Sequence, residues 1–331
     1  MMTALRFARQ WLPLLLCCVA LPTADAQTRE AGPWWPHPIW GKDDRAGSSN
    51  WITAEKVLAS MALVRTGRIY ELGQVYEAGM PIFGSRTYTL TIPAPDGGTF
   101  GANRLVYNDE MITGELGQVG TQFDGPGHIG TRLKMADGTE HDVYYNGVTW
   151  EEAQGRYGLR EIGIEQIKPI VTRGVLIDLA GYKGVPVLPP TYEVTLADVR
   201  GALARQGMSE ASIQPGDAIL FAYGWAANWT KPDLYAATQP GIGMEVARWL
   251  VERKPAMVGS DSPGLEVNPT PGGQLAYPVH QELINRQGIW NLENLHFEAL
   301  VAERAYEFLF VFTPIRFKGA TGSPGRPIAI R

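Results

Sequence analysis

The stretch GQVGTQFDGPGHIG, residues 117–130, sets two glutamines, an aspartate and a histidine among glycines and small side chains. Its first half alternates. If the backbone is extended, Gln118, Gly120, Gln122 and Asp124 point one way, and Val119, Thr121 and Phe123 the other. Pro126, between Gly125 and Gly127, rules out a continuing helix, so Asp124 and His128 form no helical i, i+4 pair. The stretch therefore reads as a strand that runs into a rigid Gly-Pro-Gly turn and presents polar side chains at the rim of a sheet. A tight turn with incidental polar groups is the plain alternative, because Gly- and Pro-rich Asx turns are common.

Outward from this stretch, helical and strand patterns alternate. TAEKVLASMALVRTG (53–67) predicts a helix capped by Thr53 and stopped at Gly67, with Val57, Met61 and Val64 on one face. TLADVRGALARQG (195–207) predicts a second, opened by Thr195 with Asp198 three residues on and closed by Gly207. MEVARWLVERK (244–254) and VHQELINRQG (279–288) read as further helices. GVLIDLAG (174–181), DAILFAYGW (217–225), AMVGSD (256–261) and YEFLFVFTPIRF (306–317) read as apolar strands. Mixed helices and apolar strands without a repeat or long linker predict a single α/β or α+β domain.

The first 26 residues stand apart. Arg6 and Arg9, the apolar run WLPLLLCCVAL and the small-x-small end Ala24-Asp25-Ala26 have the order of a secretory signal peptide cleaved before Gln27. The run is shorter than the roughly 20 residues of a membrane span. The expectation is an exported protein, periplasmic or secreted, with no membrane attachment after cleavage. Cleavage after residue 26 of 331 leaves 305 residues and removes Cys17 and Cys18, so the remainder relies on its core, not on disulfides. Losing Arg6, Arg9 and Asp25 takes the formal net charge from −5 to −6, and a mildly acidic chain without basic runs argues against nucleic acid as a partner. Residues 27–50, with AGPWWPHPIWGKDD, read as an extended arm whose Trp34, Trp35 and Trp40 pack on the body or on another subunit. The domain proper is then 51–331.

Five histidines, His37, His128, His141, His280 and His296, limit the choice of a second chemistry-bearing segment. His280 stands out, because Glu293 follows it across a predicted helix and turn in HQELINRQGIWNLE. A helix running back into a strand returns the carboxylate to the end of the sheet that holds the imidazole.

GTQFDGPGH resembles the core motif of the cyclase family of metal-dependent hydrolases, which includes bacterial kynurenine formamidase and isatin hydrolase. The family motif is His-x-Gly-Thr-His-x-Asp-x-Pro-x-His. The similarity extends through WGKDDRAGSSNWIT, ALVRTGRIYELGQ, YGWAANW, VGSDSPGLEV, PVHQELINRQGIWNLENL and FVFTPIRFKGATGSPGRPIAI. It implies a swivelling β/β/α fold with a mixed sheet and packed helices, in a homodimer or homotetramer. It also implies a divalent metal, zinc or manganese, that activates water against a C–N or C–O bond of a small cyclic or aryl amide, imide or lactone. Carried over by position, Asp124 matches the motif's aspartate and His128 its last histidine, and both become the catalytic candidates. Asp124, His280 and Glu293 become metal ligands, with Gln118 and Gln122 where the family has two histidines. An amide oxygen is a harder, weaker ligand than imidazole, which shifts the expected preference from zinc toward manganese. The same change leaves open a ligand-binding pseudoenzyme, or a metal-free lyase or isomerase using Asp124 and His128.

Trp225, Asp261 and Arg326 are the expected substrate contacts, Arg326 for a substrate carboxylate. Ser260, Asp261 and Glu266 in SDSPGLE otherwise read as a solvated loop, and His141 and His296 as surface or capping residues. The chain beyond residue 26 has no Gly-x-Ser-x-Gly elbow and no cysteine, which disfavours covalent acyl catalysis.

Overall fold

A computed structural model describes residues 31–93 and 100–331, and residues 31–331 form one compact unit. The predicted signal peptide lies outside the described residues. Nine strands build the main sheet: β1 (Ile69–Glu71), β2 (Gln122–Asp124), β3 (Ile170–Asp178), β4 (Ala218–Ala222), β5 (Met257–Ser260), β6 (Trp290–Glu293), β7 (Glu307–Phe312), β8 (Gly322–Pro324) and β9 (Ile328–Ile330). Their order is β1-β9-β7-β3-β4-β5-β6-β2-β8. The centre, β3 to β6, is parallel, and the flanks pair antiparallel. Parallel neighbours need crossovers, and the predicted helices supply them.

Local chemistry sets those helices. In α1 (Ala54–Met61) the Thr53 side chain accepts the Lys56 N–H. In α2 (Leu196–Arg205) Thr195 and Asp198 close a reciprocal capping box. Helix α3 (Met244–Arg253) crosses from β4 to β5. Between β5 and β6 the chain makes a short α-turn, Pro278–His280, that continues as a π-helix over Gln281–Arg286.

The central strands bury both faces, as a covered parallel sheet requires. Val175, Ile177, Ile219, Phe221 and Val258 face α2, α3 and the Val279–Leu283 turn. Leu176, Leu220, Met257, Trp290, Leu292 and Phe123 face the opposite layer with Tyr145 and Phe297. Because Phe123 and Leu292 turn to that second layer, their alternates Gln122, Asp124, Asn291 and Glu293 turn to the helical side. The arm packs on the body: Trp35 is buried, Trp290 Nε1 donates to the Ala46 carbonyl, and Tyr145 Oη donates to Asp44.

Three expectations change. Helix α1 stops at Met61, and Met61 is 54% exposed, because the helix is tied down by Lys56 on the buried Asp217 and not by an apolar stripe. The strand expected over 306–317 ends at Phe312, where Pro314 interrupts the ladder. Regular alternation starts only at Gln122, since Gly120 adopts φ +60° and a Cβ there would meet the Tyr76 ring at 2.6 Å.

Candidate metal centre

The register of β2 on β6 sets Asn291 opposite Asp124 and Glu293 opposite Gln122. Directly paired residues on one face are in side-chain contact range, and Gln122 Nε2 donates to Glu293 Oε2 at 3.0 Å. Gln118, two residues before the Gly120 bend, donates from Nε2 to Asp124 Oδ1 at 3.2 Å. The turn after β2 returns His128 to Asp124, with Nε2 3.7 Å from Oδ2. From the helical side, His280 brings Nε2 to 2.9 Å from Glu293 Oε1 and 3.7 Å from Asp124 Oδ2.

Behind His280 lies Glu266. Its Oε1 accepts the His280 backbone N–H and the ring Nδ1–H, the latter at 2.6 Å, and its Oε2 accepts the Val279 N–H. The side chain is 1% exposed. The solvated-loop reading of SDSPGLE therefore gives way to burial: these carboxylates are held by backbone N–H groups of neighbouring elements. Glu266 fixes the imidazole through one nitrogen and aims the other at the cavity, the usual outer-shell arrangement of a metal-ligating histidine.

A cavity of about 190 Å³ opens above this floor, lined by Gln118, Gln122, Asp124, His128, His280 and Glu293, and on its wall by Phe83, Arg86, Gln239 and Tyr277. Tyr277 sits at φ +47°, a costly conformation for an aromatic residue, of the kind that surrounding structure sustains at functional sites.

Burial pushes the Glu293 carboxyl up to about 7; the Asp124 charge acts in the same direction, against hydrogen bonds from His280 and Gln122. Burial alone would lower His280, but the carboxylates of Glu266 and Glu293 on its two nitrogens outweigh it and hold the ring well above its ordinary value. Burial lowers His128, with the Asp124 charge opposing and His280 adding to the fall.

Asp124, His280 and Glu293 each offer a ligand atom, all within 4.8 Å of one another. Asp124 Oδ2 is buried without a hydrogen bond. An unsatisfied buried carboxylate oxygen beside an imidazole and a second carboxylate fits a divalent cation. Gln118 and Gln122 complete this floor. Of the other expected contacts, Trp225 lies in the core with Nε1 donating to the Tyr235 carbonyl at 3.3 Å. Asp261 accepts the Tyr223 N–H at 2.8 Å and lines a different cavity, of about 200 Å³. Arg326 is exposed and ion-paired with Glu71. These three are not at the metal-centre cavity. His141 is a surface residue bridged to Glu151, and His37 caps its own turn by accepting the Ile39 and Trp40 N–H groups.

Sequence reading missed four wall and support residues: Phe83, Arg86, Tyr277 and Glu266 as the partner of His280. It also missed Asn291, fully buried opposite Asp124, whose amide atoms bond to no described residue. A polar residue at an alternate position in IWNLE was the available signal.

The fold and this floor of carboxylates and imidazoles define a cyclase-type α/β protein with a candidate metal centre. The cyclase family model matches residues 70–267, more than half of the chain, and the chain belongs to that family. A crystal structure described as a novel cyclase is similar at 30% identity, over 88% of this chain and 98% of that one, with a TM-score of 0.78. Isatin hydrolase A from Ralstonia solanacearum shares the fold at 18% identity, over 84% and 98%, with a TM-score of 0.58. So does a predicted metal-dependent hydrolase from Bacillus stearothermophilus, at 17% identity over 79% and 97%, with a TM-score of 0.51. No curated protein sequence matches the chain.

Proposed function

We propose that the protein is a metal-dependent hydrolase that cleaves a C–N or C–O bond of a small cyclic or aryl amide, imide or lactone. The observation that carries this reading is the buried convergence of Asp124, His280 and Glu293, with Asp124 Oδ2 unsatisfied, beneath an open cavity. Membership of the cyclase family, and neighbours named as isatin hydrolase and metal-dependent hydrolase, support it.

Asp124, His280 and Glu293 would hold the cation, with the Gln118 and Gln122 amide oxygens as further, harder donors that favour manganese over zinc. When bound, the ion supplies Lewis acidity, which polarises a substrate carbonyl and makes water a better nucleophile near neutral pH. The protein's own groups do the rest. Glu266 keeps the His280 ring oriented. His128, held below its ordinary pKa, is neutral at pH 7 and accepts the proton of the attacking water, then delivers it to the leaving nitrogen or oxygen. The acyl carbon gains one C–O bond as it loses its bond to the leaving group. Phe83 and Tyr277 give an apolar wall for the ring.

The Gln118–Asp124 and Gln122–Glu293 hydrogen bonds support a second reading, in which amides replace the ion and the cavity only binds ligand. Metal analysis by plasma mass spectrometry, on protein purified without chelator, separates the two. The hydrolase reading expects about one zinc or manganese per chain, lost in Asp124→Ala together with turnover of aryl formamides, isatins or lactones. Protein that stays metal-free after reloading, and turns over none of them, rejects it. We further propose export, supported by the order of the first 26 residues, and self-association, argued below.

A further inference from the structure

We propose that Arg86 is the specificity determinant of this cavity and selects a substrate carrying a carboxylate. Arg86 lies in the segment just before a two-stranded hairpin (Tyr88–Thr91 with Met111–Gly114) and lines both the main cavity and the smaller pocket beside Gln118 and Gln122. It makes no hydrogen bond or ion pair with any described residue. No nearby carboxylate pairs with it. Glu115 feels the Arg86 charge but hydrogen-bonds the Thr87 N–H at 2.6 Å and the Thr87 hydroxyl, Glu293 is engaged by Gln122 and His280, Glu266 by His280, and Asp124 by Gln118 through Oδ1. A guanidinium cannot shed its charge, and a half-buried charge is normally paired.

Aromatic contacts hold its position. The Arg86 guanidinium lies 5.9 Å from the Phe83 ring centroid. Phe83 meets Tyr277 edge-on at 6.3 Å, and Tyr277 meets His280 at 5.4 Å. A continuous wall thus runs from the cation at the rim to the imidazole on the floor. The guanidinium bonds to no described residue, so its N–H groups are available to take a carboxylate through two parallel hydrogen bonds.

Charge is divided along the same wall. The floor carries the carboxylates of Asp124 and Glu293, already directed at His280 and the proposed cation, whereas Arg86 offers an anion a fixed positive charge at the rim. A ring bearing a carboxylate therefore enters in one orientation, with its anion outward and the opposite end at the floor. Arg326, the sequence-level choice for this contact, is engaged by Glu71 instead. The inference rests on the proposed hydrolase for what happens at the floor, but the anion contact itself is readable without turnover.

The test uses benzoate and its neutral isostere benzamide as binding probes, by titration calorimetry or ligand-observed NMR. The 2-, 3- and 4-formamidobenzoates, against the matching benzamides, are the turnover probes. Wild type is expected to bind benzoate about tenfold or more tightly than benzamide. Arg86→Gln brings that ratio near one, and Arg86→Lys, which keeps the charge but not the fork, falls between. The same ordering is expected in kcat/KM ratios. Equal binding of the two probes by wild type, or a preference that survives in Arg86→Gln, overturns the proposal. A benzoate preference that Arg86→Gln abolishes, with no formamide turned over, supports the Arg86 contact and sinks only the hydrolytic reading.

Discussion

Gln122 and Gln118 stand beside the carboxylates of the candidate metal centre, where they set what an ion would meet. Each donates an amide N–H to a carboxylate that an ion would otherwise claim, Gln122 to Glu293 and Gln118 to Asp124. Gln118 Oε1 also accepts from Gln122 Nε2 at 3.4 Å, so turning an amide oxygen toward an ion costs these hydrogen bonds. Gln122→His is therefore expected to raise zinc affinity, and more so combined with Gln118→His, because imidazole is the softer, stronger donor. Competition with a chromophoric chelator measures this, and an unchanged or weaker affinity in the double variant contradicts it. Glu266 acts one step back. Its carboxylate fixes the His280 tautomer and raises the ring's basicity, so Glu266→Gln should weaken metal binding about 10- to 100-fold. If Glu266 only held the loop, the variant would lose thermal stability and keep its affinity.

At the scale of elements, the sequence made the central sheet legible and left the support of the site obscure. The apolar runs of β3, β4 and β5 and the Thr195 capping box are local signals and mark the right elements, although the run expected over 174–181 turns helical at Leu179 and the one over 217–225 leaves the sheet after Ala222. His280 and Glu293 were also within reach, since one helix and one turn join them. Glu266 and Arg86 were not. Glu266 meets His280 only because the β5–β6 crossover folds back, and Arg86 reaches the cavity from a segment with no periodic pattern of its own. Asp261 illustrates the cost of burying such a group at a strand end. Burial pushes its carboxyl from the ordinary 3.8 up to about 7, against the backbone N–H bonds it accepts. A raised carboxyl favours the protonated folded state, so its contribution to stability is full below pH 3.8 and is lost as pH rises through 7. Urea unfolding at pH 5 and pH 7.5 should show wild type losing stability relative to Asp261→Asn, by order 1 kcal/mol per pH unit across that window. The asparagine keeps an acceptor for the Tyr223 N–H. Parallel pH dependences of the two proteins would show that Asp261 does not titrate in this range.

At the scale of the whole molecule, the hairpin that follows Arg86 meets the body through Tyr88 on Tyr76 and leaves its other side chains largely uncovered. Leu90 pairs across it with Ile112, and Thr91 with Met111, yet every residue of both strands is exposed or only partly covered. Leu90 is 47% exposed, Ile112 41% and Met111 55%, and nearby Ile92, Val106 and Tyr107 are exposed as well. A lone two-stranded ribbon is marginal in water, and a run of apolar side chains this dense on a surface marks an interface. A second copy of the chain is the occupant we propose, in keeping with the homo-oligomer expected from the sequence. Sedimentation velocity should give a dimer or larger species. Leu90→Lys with Ile112→Lys places two charges on the apolar pair and should shift the protein to monomer. Because Phe83 and Arg86 lie at the base of the same ribbon, the monomeric variant should also lose part of its preference for benzoate over benzamide. A wild type that sediments as a monomer removes the proposed interface, and a dimer that survives both lysines places the contact on another surface.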